Sequence, residues 1–99
     1  MTTVRTLSAL DGEPHARVFP DAEPKTIRLT LAADEAIPAH MHPDCEIVLY
    51  LVSGKLALRV GDETDTLEAG DVARFDGGRE ISPRAIEAST ALLVLAPRA

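Results

Sequence analysis

The sequence predicts an all-β fold, a small antiparallel sandwich or barrel. Apolar and polar residues alternate in several short stretches, most clearly in residues 26–31, where Ile27, Leu29 and Leu31 would share one face. Turn-forming residues separate these stretches at spacings of about eight to twelve residues. No stretch has the spacing of a long amphipathic helix. Short strands at regular intervals are typical of sandwiches and barrels.

The predicted strands differ in how deeply we expect them to be buried. Residues 46–53 are nearly all apolar, as in a strand buried on both faces, and Gly54 turns the chain into the next, alternating strand. Pro38 indicates that the predicted strand at residues 36–42 is an edge strand or an irregular one. In chain order, the predicted strands cover residues 15–19, 26–31, 36–42, 46–53, 55–60, 64–68, 72–75 and 86–95.

Length, charge and cysteine content exclude several classes of protein. The 99 residues are enough for one domain and too few for two. A net charge of −6 argues against a nucleic-acid partner, which would require a basic surface. The single cysteine excludes an intramolecular disulfide, and no apolar segment is long enough to span a membrane. We therefore expect a cytoplasmic protein with no membrane partner.

Residues 39–46 contain most of the side chains that could bind a metal ion. They include His40, His42, the single Cys45 and Glu46. Because successive side chains of a strand point to opposite faces, two histidines separated by one residue project from the same face. Such a pair can offer two nitrogen ligands to one metal ion. The alternative is that both are partly exposed polar residues with no ligand.

Two longer stretches extend this pattern. Residues 37–56 contain the two histidines, a carboxylate and a strand that ends at Gly54, and residues 67–75 contain Gly70 and Asp71 before another strand. In this order the stretches resemble the two sequence motifs of the cupin family, and the similarity spans about residues 25 to 95. The resemblance implies a double-stranded β-helix, or jelly-roll, barrel. We assign residues 25–97 to this barrel and residues 1–24 to an N-terminal arm.

The resemblance also implies a set of metal ligands, of which the family histidine in the second motif is missing. Ile81 occupies its position, with Glu80 beside it. The remaining set is His40, His42 and Glu46. Two histidines and one carboxylate are the ligands of non-haem iron oxygenases, and zinc, manganese or nickel could occupy the same site. Cys45 is an alternative, softer ligand that would favour zinc, or else a small buried apolar residue.

The orientation of Glu46 depends on the register of its strand. Counting back from Gly54 by the family spacing leads to Ile47, because this chain has one residue more between the carboxylate and the glycine. A slip of one residue reverses the face to which a side chain points. A β-bulge near residues 43–44 or 52–53 would return Glu46 to the barrel interior. Without one, Glu46 is a solvated residue at the strand end.

Other polar residues are candidates for substrate binding or catalysis. Tyr50 shares a face with Glu46, so it would line the cavity in the same register, and otherwise lies at an interface or in the core. Tyr50 and Glu80 are the candidate catalytic residues. Glu80 could also act as a metal ligand in place of the missing histidine. Arg74 and Arg79 flank the Gly-rich loop at residues 77–78, where they could meet an anionic substrate or remain solvated. We expect His15, alone in a polar segment, at the surface.

Two functions are consistent with these residues. The first is a small metal-dependent enzyme, dioxygenase-like, that acts on a small organic molecule. The second is a non-catalytic cupin, a ligand-binding or regulatory barrel with a degenerate metal site. Ile81 favours the second, and the intact histidine pair favours the first. A barrel of this size has open sheet edges, so we also expect a homodimer, with the N-terminal arm as a candidate for pairing across it.

Overall fold

Six antiparallel strands form the fold in the computed structural model, which describes residues 2–98. A short 3-10 helix, Leu7–Ala9, precedes them. The strands are β1 (His15–Arg17), β2 (Lys25–Leu31), β3 (Cys45–Val60), β4 (Glu63–Glu68), β5 (Val72–Asp76) and β6 (Ile81–Pro97).

The two long strands, β3 and β6, run through both layers of the barrel. They pair antiparallel almost from end to end, and the register shifts between Leu51 and Leu56 mark the bend from one layer to the other. In the first layer, the N-terminal half of β3 pairs with β5, and the C-terminal half of β6 pairs with β2, which pairs with β1 at the edge of the sheet. In the second layer, the C-terminal half of β3 pairs with β4. This two-layered arrangement confirms the predicted all-β jelly-roll barrel.

Gly54 allows the bend in β3. Its φ of +91° is in the left-handed region, where a side chain is strained. A Cβ at this position would also collide with the carbonyl of Ala88 and the side chain of Ser89 on β6. The predicted break at Gly54 is therefore a bend within one 16-residue strand. β6 runs without interruption for 17 residues and is bent in the same region.

The core lies between the two layers and is aliphatic. Alternation within β2 correctly predicted that Ile27, Leu29 and Leu31 are buried. In β3, alternate residues before the bend are buried and the residues between them are exposed. The largest fully buried side chains are Leu31, Ile47, Leu49, Leu51 and Leu56.

The N-terminal arm packs on its own barrel. Arg28, on the outer face of β2 and only 6% exposed, donates hydrogen bonds to the carbonyls of Leu7, Leu10 and Gly12. The arm was predicted as residues 1–24, of which Met1 lies outside the described residues, with pairing across a dimer as an alternative. Within the chain β1 pairs with β2, because residues 18–24 return the chain antiparallel to it. The homodimer, and the pairing of the arm across it, stay predictions.

Residues 36–42 differ from the predicted strand. The structure has only two isolated bridges here, from Ala36 to Arg84 and from His40 to Ile81. Pro38 lies between the bridges and cannot donate a ladder hydrogen bond, which explains the irregular edge. Within residues 2–98, no helix has the length and apolar character needed to cross a membrane. A cytoplasmic location stays a prediction.

Candidate functional site

A cavity of about 470 Å³ lies between the two layers of the barrel. Both layers contribute to its wall through inward-facing apolar side chains, among them Ile27, Leu29, Ile47, Leu49, Leu58 and Ile81. The polar side chains that line it are three histidines, His15, His40 and His42. No carboxylate, lysine or arginine of the described residues lines the cavity.

His40 and His42 are positioned by the backbone of the irregular segment. The His40 backbone exchanges hydrogen bonds with Ile81, at 3.1 Å and 2.8 Å, and the His42 N–H donates to the Gly77 carbonyl at 2.7 Å. Their ring centroids are 4.9 Å apart, with the rings nearly perpendicular. The two imidazoles therefore lie side by side at one wall of the cavity, as their spacing in the sequence predicts.

A carbonyl oxygen determines which nitrogen of His40 carries hydrogen. Nδ1 of His40 lies 3.0 Å from the carbonyl oxygen of Pro38. Because a carbonyl oxygen only accepts, Nδ1 must be the donor in this contact. In the neutral ring Nε2 then keeps a lone pair, which is available to a metal ion or to a hydrogen-bond donor. Metal-binding histidines in proteins are commonly held by a second contact of this kind.

His15 reaches the same cavity from β1. It pairs with Leu29 of β2, and side chains directly opposite each other on neighbouring strands share a face. Since Leu29 faces the interior, His15 does too, although it remains exposed at the edge of the sheet. The local sequence predicts the exposed position of His15 but not its place at the cavity, because that depends on the pairing of β1 with β2.

Burial and mutual repulsion lower the pKa of two of these histidines. Burial is the main cause for His15, and the positive charge of His40 adds to it. The pKa of His42 is lowered mainly by burial, and further by His40, Lys25 and His15. Both imidazoles are therefore held in the neutral form at neutral pH, the form that binds a metal ion.

Glu46 is outside the barrel, which corrects the predicted ligand set. Its strand runs in regular register from Cys45 to Leu51, with Ile47 buried and Glu46 facing outward. β3 is irregular after Leu51, but this irregularity belongs to the bend and leaves Glu46 on the outer face. The Glu46 carboxylate lies 3.2 Å from Arg98. It is therefore separated from the histidines by the sheet itself.

Tyr50 follows the same register and is also outside. It is 41% exposed on the outer face of β3, opposite Val72 of β5. The prediction that it lines the cavity is therefore wrong, and with it the basis for a catalytic or substrate-binding role there. Of the other positions inferred from the sequence, this exposure excludes the core, and an interface stays a prediction.

The remaining candidates are also outside the cavity. Glu80 is exposed and does not line the cavity. The neighbouring Ile81, which was not a candidate ligand, is 3% exposed and lines the wall. Cys45 packs against the apolar core. Arg74 and Arg79 line a separate, more polar depression, so they do not meet a molecule held beside the histidines.

An outer network of charges holds Glu46 in place. Arg98 contacts both Glu46, at 3.2 Å, and Asp76, at 2.7 Å, and Arg74 lies 3.8 Å from the same Glu46 oxygen. The pKa of Asp76 is below its ordinary value, first because the Gly78 N–H donates to it at 2.7 Å and also because of Arg98. Arg74, predicted as a substrate-binding candidate, and Glu46, predicted as a metal ligand, here belong to a network that joins the ends of β3, β5 and β6.

The residues present fit a metal ion only in part. His40 and His42 are neighbouring nitrogen donors with one ring oriented by Pro38. Among the described residues, no three His, Cys, Asp or Glu side chains are already arranged to hold one ion. The two-histidine, one-carboxylate site predicted from the sequence is therefore not assembled, and only the histidine pair of it lines the cavity.

Comparison with known proteins identifies the family. The cupin domain model matches residues 27–96, so the chain belongs to the cupin domain family. This confirms the resemblance inferred from the two motifs. No curated protein sequence matches the chain.

Solved structures share the same barrel. TT1209 from Thermus thermophilus is 29% identical, with a TM-score of 0.77 and 97% of this chain and 98% of that chain covered. The Cnp3 cupin domain of Schizosaccharomyces pombe has a TM-score of 0.83 at 16% identity, covering 93% and 72%. A protein of Thermotoga maritima described as a predicted oxalate decarboxylase has a TM-score of 0.75 at 18% identity, covering 84% and 78%.

Proposed function

We propose that the barrel binds a small, largely apolar organic molecule between its two layers, with a polar end of the molecule beside His40 and His42. The observation that carries this proposal is the cavity of about 470 Å³ whose polar lining side chains are histidines. Its volume is within the range of small-molecule sites, roughly 300–1,000 Å³, which are typically apolar with a few convergent polar groups. This is the ligand-binding alternative derived from the sequence.

The chemistry of the wall suggests which ligands fit. Aliphatic side chains contribute burial of apolar surface without fixing an orientation. The histidines supply both a lone pair and N–H donors, and no carboxylate of the described residues lines the cavity to repel a negatively charged end. A medium-chain or aromatic carboxylate therefore matches the site better than a polyhydroxylated or cationic molecule does.

Tryptophan fluorescence provides a test, because the chain contains no tryptophan. In a Phe75→Trp variant the indole replaces a half-buried side chain that lines the cavity. In the matched Val72→Trp variant it lies on the same strand but on the outer face, where Val72 is 64% exposed. We expect decanoate, added with a chelator present, to shift the emission of the first variant saturably and to leave the second unchanged. Equal responses from both variants would contradict binding between the layers.

A second candidate function is metal-dependent catalysis, dioxygenase-like as the sequence suggested. The pairing of His40 with His42 and the Pro38 contact that orients His40 favour it. A divalent iron, zinc, manganese or nickel ion held there would polarise a bound oxygen of the organic molecule or activate water or dioxygen. The protein would contribute the orientation of the imidazoles and an apolar surrounding that excludes bulk water.

Metal analysis separates the two candidates. Protein purified without a polyhistidine tag is analysed for bound metal beside the His40→Ala, His42→Ala double variant. The catalytic candidate requires near-stoichiometric metal in the unmodified protein and its loss in the double variant. Substoichiometric metal, unchanged by the two substitutions, would leave the ligand-binding function and remove the catalytic one.

We also propose that the protein forms a homodimer through the outer face of β3 and β5. Val48, Tyr50 and Val52 of β3 are each about 40% exposed, and Val72 of β5 is 64% exposed. These four side chains lie on one face of one sheet, since Tyr50 is opposite Val72. A contiguous apolar sheet face is the kind of surface that a second copy covers around a two-fold axis.

A further inference from the structure

We propose that His15, His40 and His42 together bind one divalent metal ion, with β1 supplying the third ligand. We call these residues the three-histidine cluster. The inference rests on the second candidate function above and specifies its ligands. His15 would take the place of Glu46 as the third ligand, since Glu46 is on the outer face. The sequence itself lacks the family histidine, because Ile81 occupies its position.

The placement of the cluster is the main argument. These are the three histidines of the whole chain, and all three line the same cavity. They come from two segments that are far apart in sequence, β1 and the irregular segment before β3. β1 places His15 on the interior side through its pairing with Leu29, while Ala16, the next residue, faces outward opposite Arg28.

The chemistry of the donors suits a divalent transition metal. Three histidines with a fourth position open to water or substrate are a ligand set of catalytic zinc sites. Imidazole also binds iron, nickel and copper, so the choice among these metals depends on availability and geometry. Because all three ligands are neutral, the bound ion would keep its full charge. It would thus attract an anionic end of a molecule held in the apolar cavity.

The three imidazole rings differ in whether they are already oriented for binding one metal ion. His40 is oriented by Pro38, and its Nε2 lone pair is available. His42 is in edge contact with it. His15 is exposed at the sheet edge. Since no three donors of the described residues already surround one point, binding requires the His15 side chain to rotate toward the pair.

Binding would have a structural consequence for β1. This strand is only three residues long and pairs with β2 alone. A metal ion shared by His15 and the His40–His42 pair would tie β1 to the irregular segment before β3. We therefore expect metal to slow amide hydrogen exchange in β1 and to raise the melting temperature, because a ligand that binds only the folded state stabilises it.

The experiment uses chelator-treated, tag-free full-length protein titrated with Zn²⁺ and with Co²⁺, whose absorption spectrum reports the ligands. We compare unmodified protein with His15→Ala and with Arg17→Ala. Arg17 lies on the same strand and the same side as His15, opposite Ile27, but does not line the cavity. We expect one ion per chain, at least about tenfold weaker binding and an altered Co²⁺ spectrum for His15→Ala, and no change for Arg17→Ala. Free imidazole should partly restore the affinity of His15→Ala.

The outcomes distinguish this inference from the function on which it rests. If unmodified protein and His15→Ala bind metal equally, with the same Co²⁺ spectrum, His15 is not a ligand and the His40–His42 site stands. If unmodified protein binds no metal, both the three-histidine cluster and the catalytic candidate are overturned. Loss of binding in both His15→Ala and Arg17→Ala would mean that disruption of β1 is the cause, and would overturn the ligand role of His15.

Discussion

Glu46 and Ile47 point to opposite sides of β3, with Ile47 against the cavity and the Glu46 carboxylate 3.2 Å from Arg98 on the outer surface. These adjacent residues decide whether the barrel has a carboxylate ligand, and the structure assigns the interior position to isoleucine. We therefore expect Glu46→Gln to leave metal and ligand binding unchanged. Its stability should fall by at most about 1 kcal/mol, since exposed ion pairs contribute little.

Calorimetric titration and urea unfolding of Glu46→Gln test this expectation. The matched comparison is His42→Ala, in which a cavity-lining donor is removed while the outer charge network remains. A loss of metal affinity in Glu46→Gln as large as that in His42→Ala would show that the carboxylate reaches the cavity.

Ile81→His should strengthen metal binding. Ile81 is 3% exposed and lines the cavity wall, and its backbone pairs with that of His40. An imidazole at this position would add a nitrogen donor near the pair. Burying it without metal should cost about 1–3 kcal/mol of stability, within the range for a buried polar group.

The effect of Ile81→His is best measured in a protein that also carries His15→Ala, because the new imidazole then has to replace a missing donor. Zinc titration of the His15→Ala, Ile81→His double variant should recover at least the affinity of unmodified protein, while apo stability, measured in chelator, should fall. A Co²⁺ spectrum of the double variant identical to that of His15→Ala would show that the imidazole at position 81 does not bind the ion. That result would contradict the expected geometry even if the affinity recovered.

Chelator-treated protein should lose stability below about pH 6.5. The folded-state pKa values of His15 and His42 are lower than their ordinary value of 6.5, so the folded state binds fewer protons than the unfolded state. Their neutral forms therefore contribute stability that is complete above pH 6.5 and lost as pH falls through the lowered pKa values. Burial is the main cause of both lowered pKa values; the charge of His40 adds to it for both residues, and those of Lys25 and His15 add to it for His42.

Urea midpoints measured across this pH range provide the check. In His42→Ala the slope of stability against pH should be shallower than in unmodified protein. Arg17→Ala, which removes a charge from the same strand as His15, should keep the original slope. Parallel curves for unmodified protein and His42→Ala would show that His42 does not contribute.

Arg28→Met should release the N-terminal arm. The buried guanidinium donates to three backbone carbonyls of the arm. Hydrogen bonds from charged groups contribute about 1.5–3 kcal/mol each, and the cost of removing the guanidinium charge from water offsets much of their sum. We expect faster proteolysis and amide exchange in residues 2–14 and a loss of about 2 kcal/mol in stability. Arg59→Met, an exposed arginine on β3, is the control and should change neither. Unchanged exchange in the arm of Arg28→Met would contradict its anchoring role.

Gel filtration and light scattering test the proposed dimer. A charge at the centre of the outer face, Tyr50→Lys, should shift the protein from about twice its 10.6 kDa chain mass to the monomer. Thr64→Lys adds the same charge to an exposed position of β4, in the other layer, and should leave the dimer intact. A monomer in unmodified protein at micromolar concentration would rule out the interface.

Local patterns were sufficient for the fold class and for half of the site. Alternation in residues 26–31 predicted the inward side of β2, and the two motifs indicated the jelly-roll barrel. The spacing of His40 and His42 predicted that their rings lie together. These inferences succeeded because they depend on backbone periodicity and on near neighbours in the chain.

The long-range pairing of strands decided the rest. Residues 47–52 are all apolar, so hydrophobicity could not select the register of β3, and the selection came from pairing with β5 and β6. That register placed Glu46 and Tyr50 outside. His15 joined the cavity only because β1 pairs with β2 so that it lies opposite Leu29. A one-residue change in either register would exchange the two faces of the strand. The placement of His40 beside His42 could therefore be predicted from the sequence, whereas the positions of Glu46 and His15 depended on the tertiary structure.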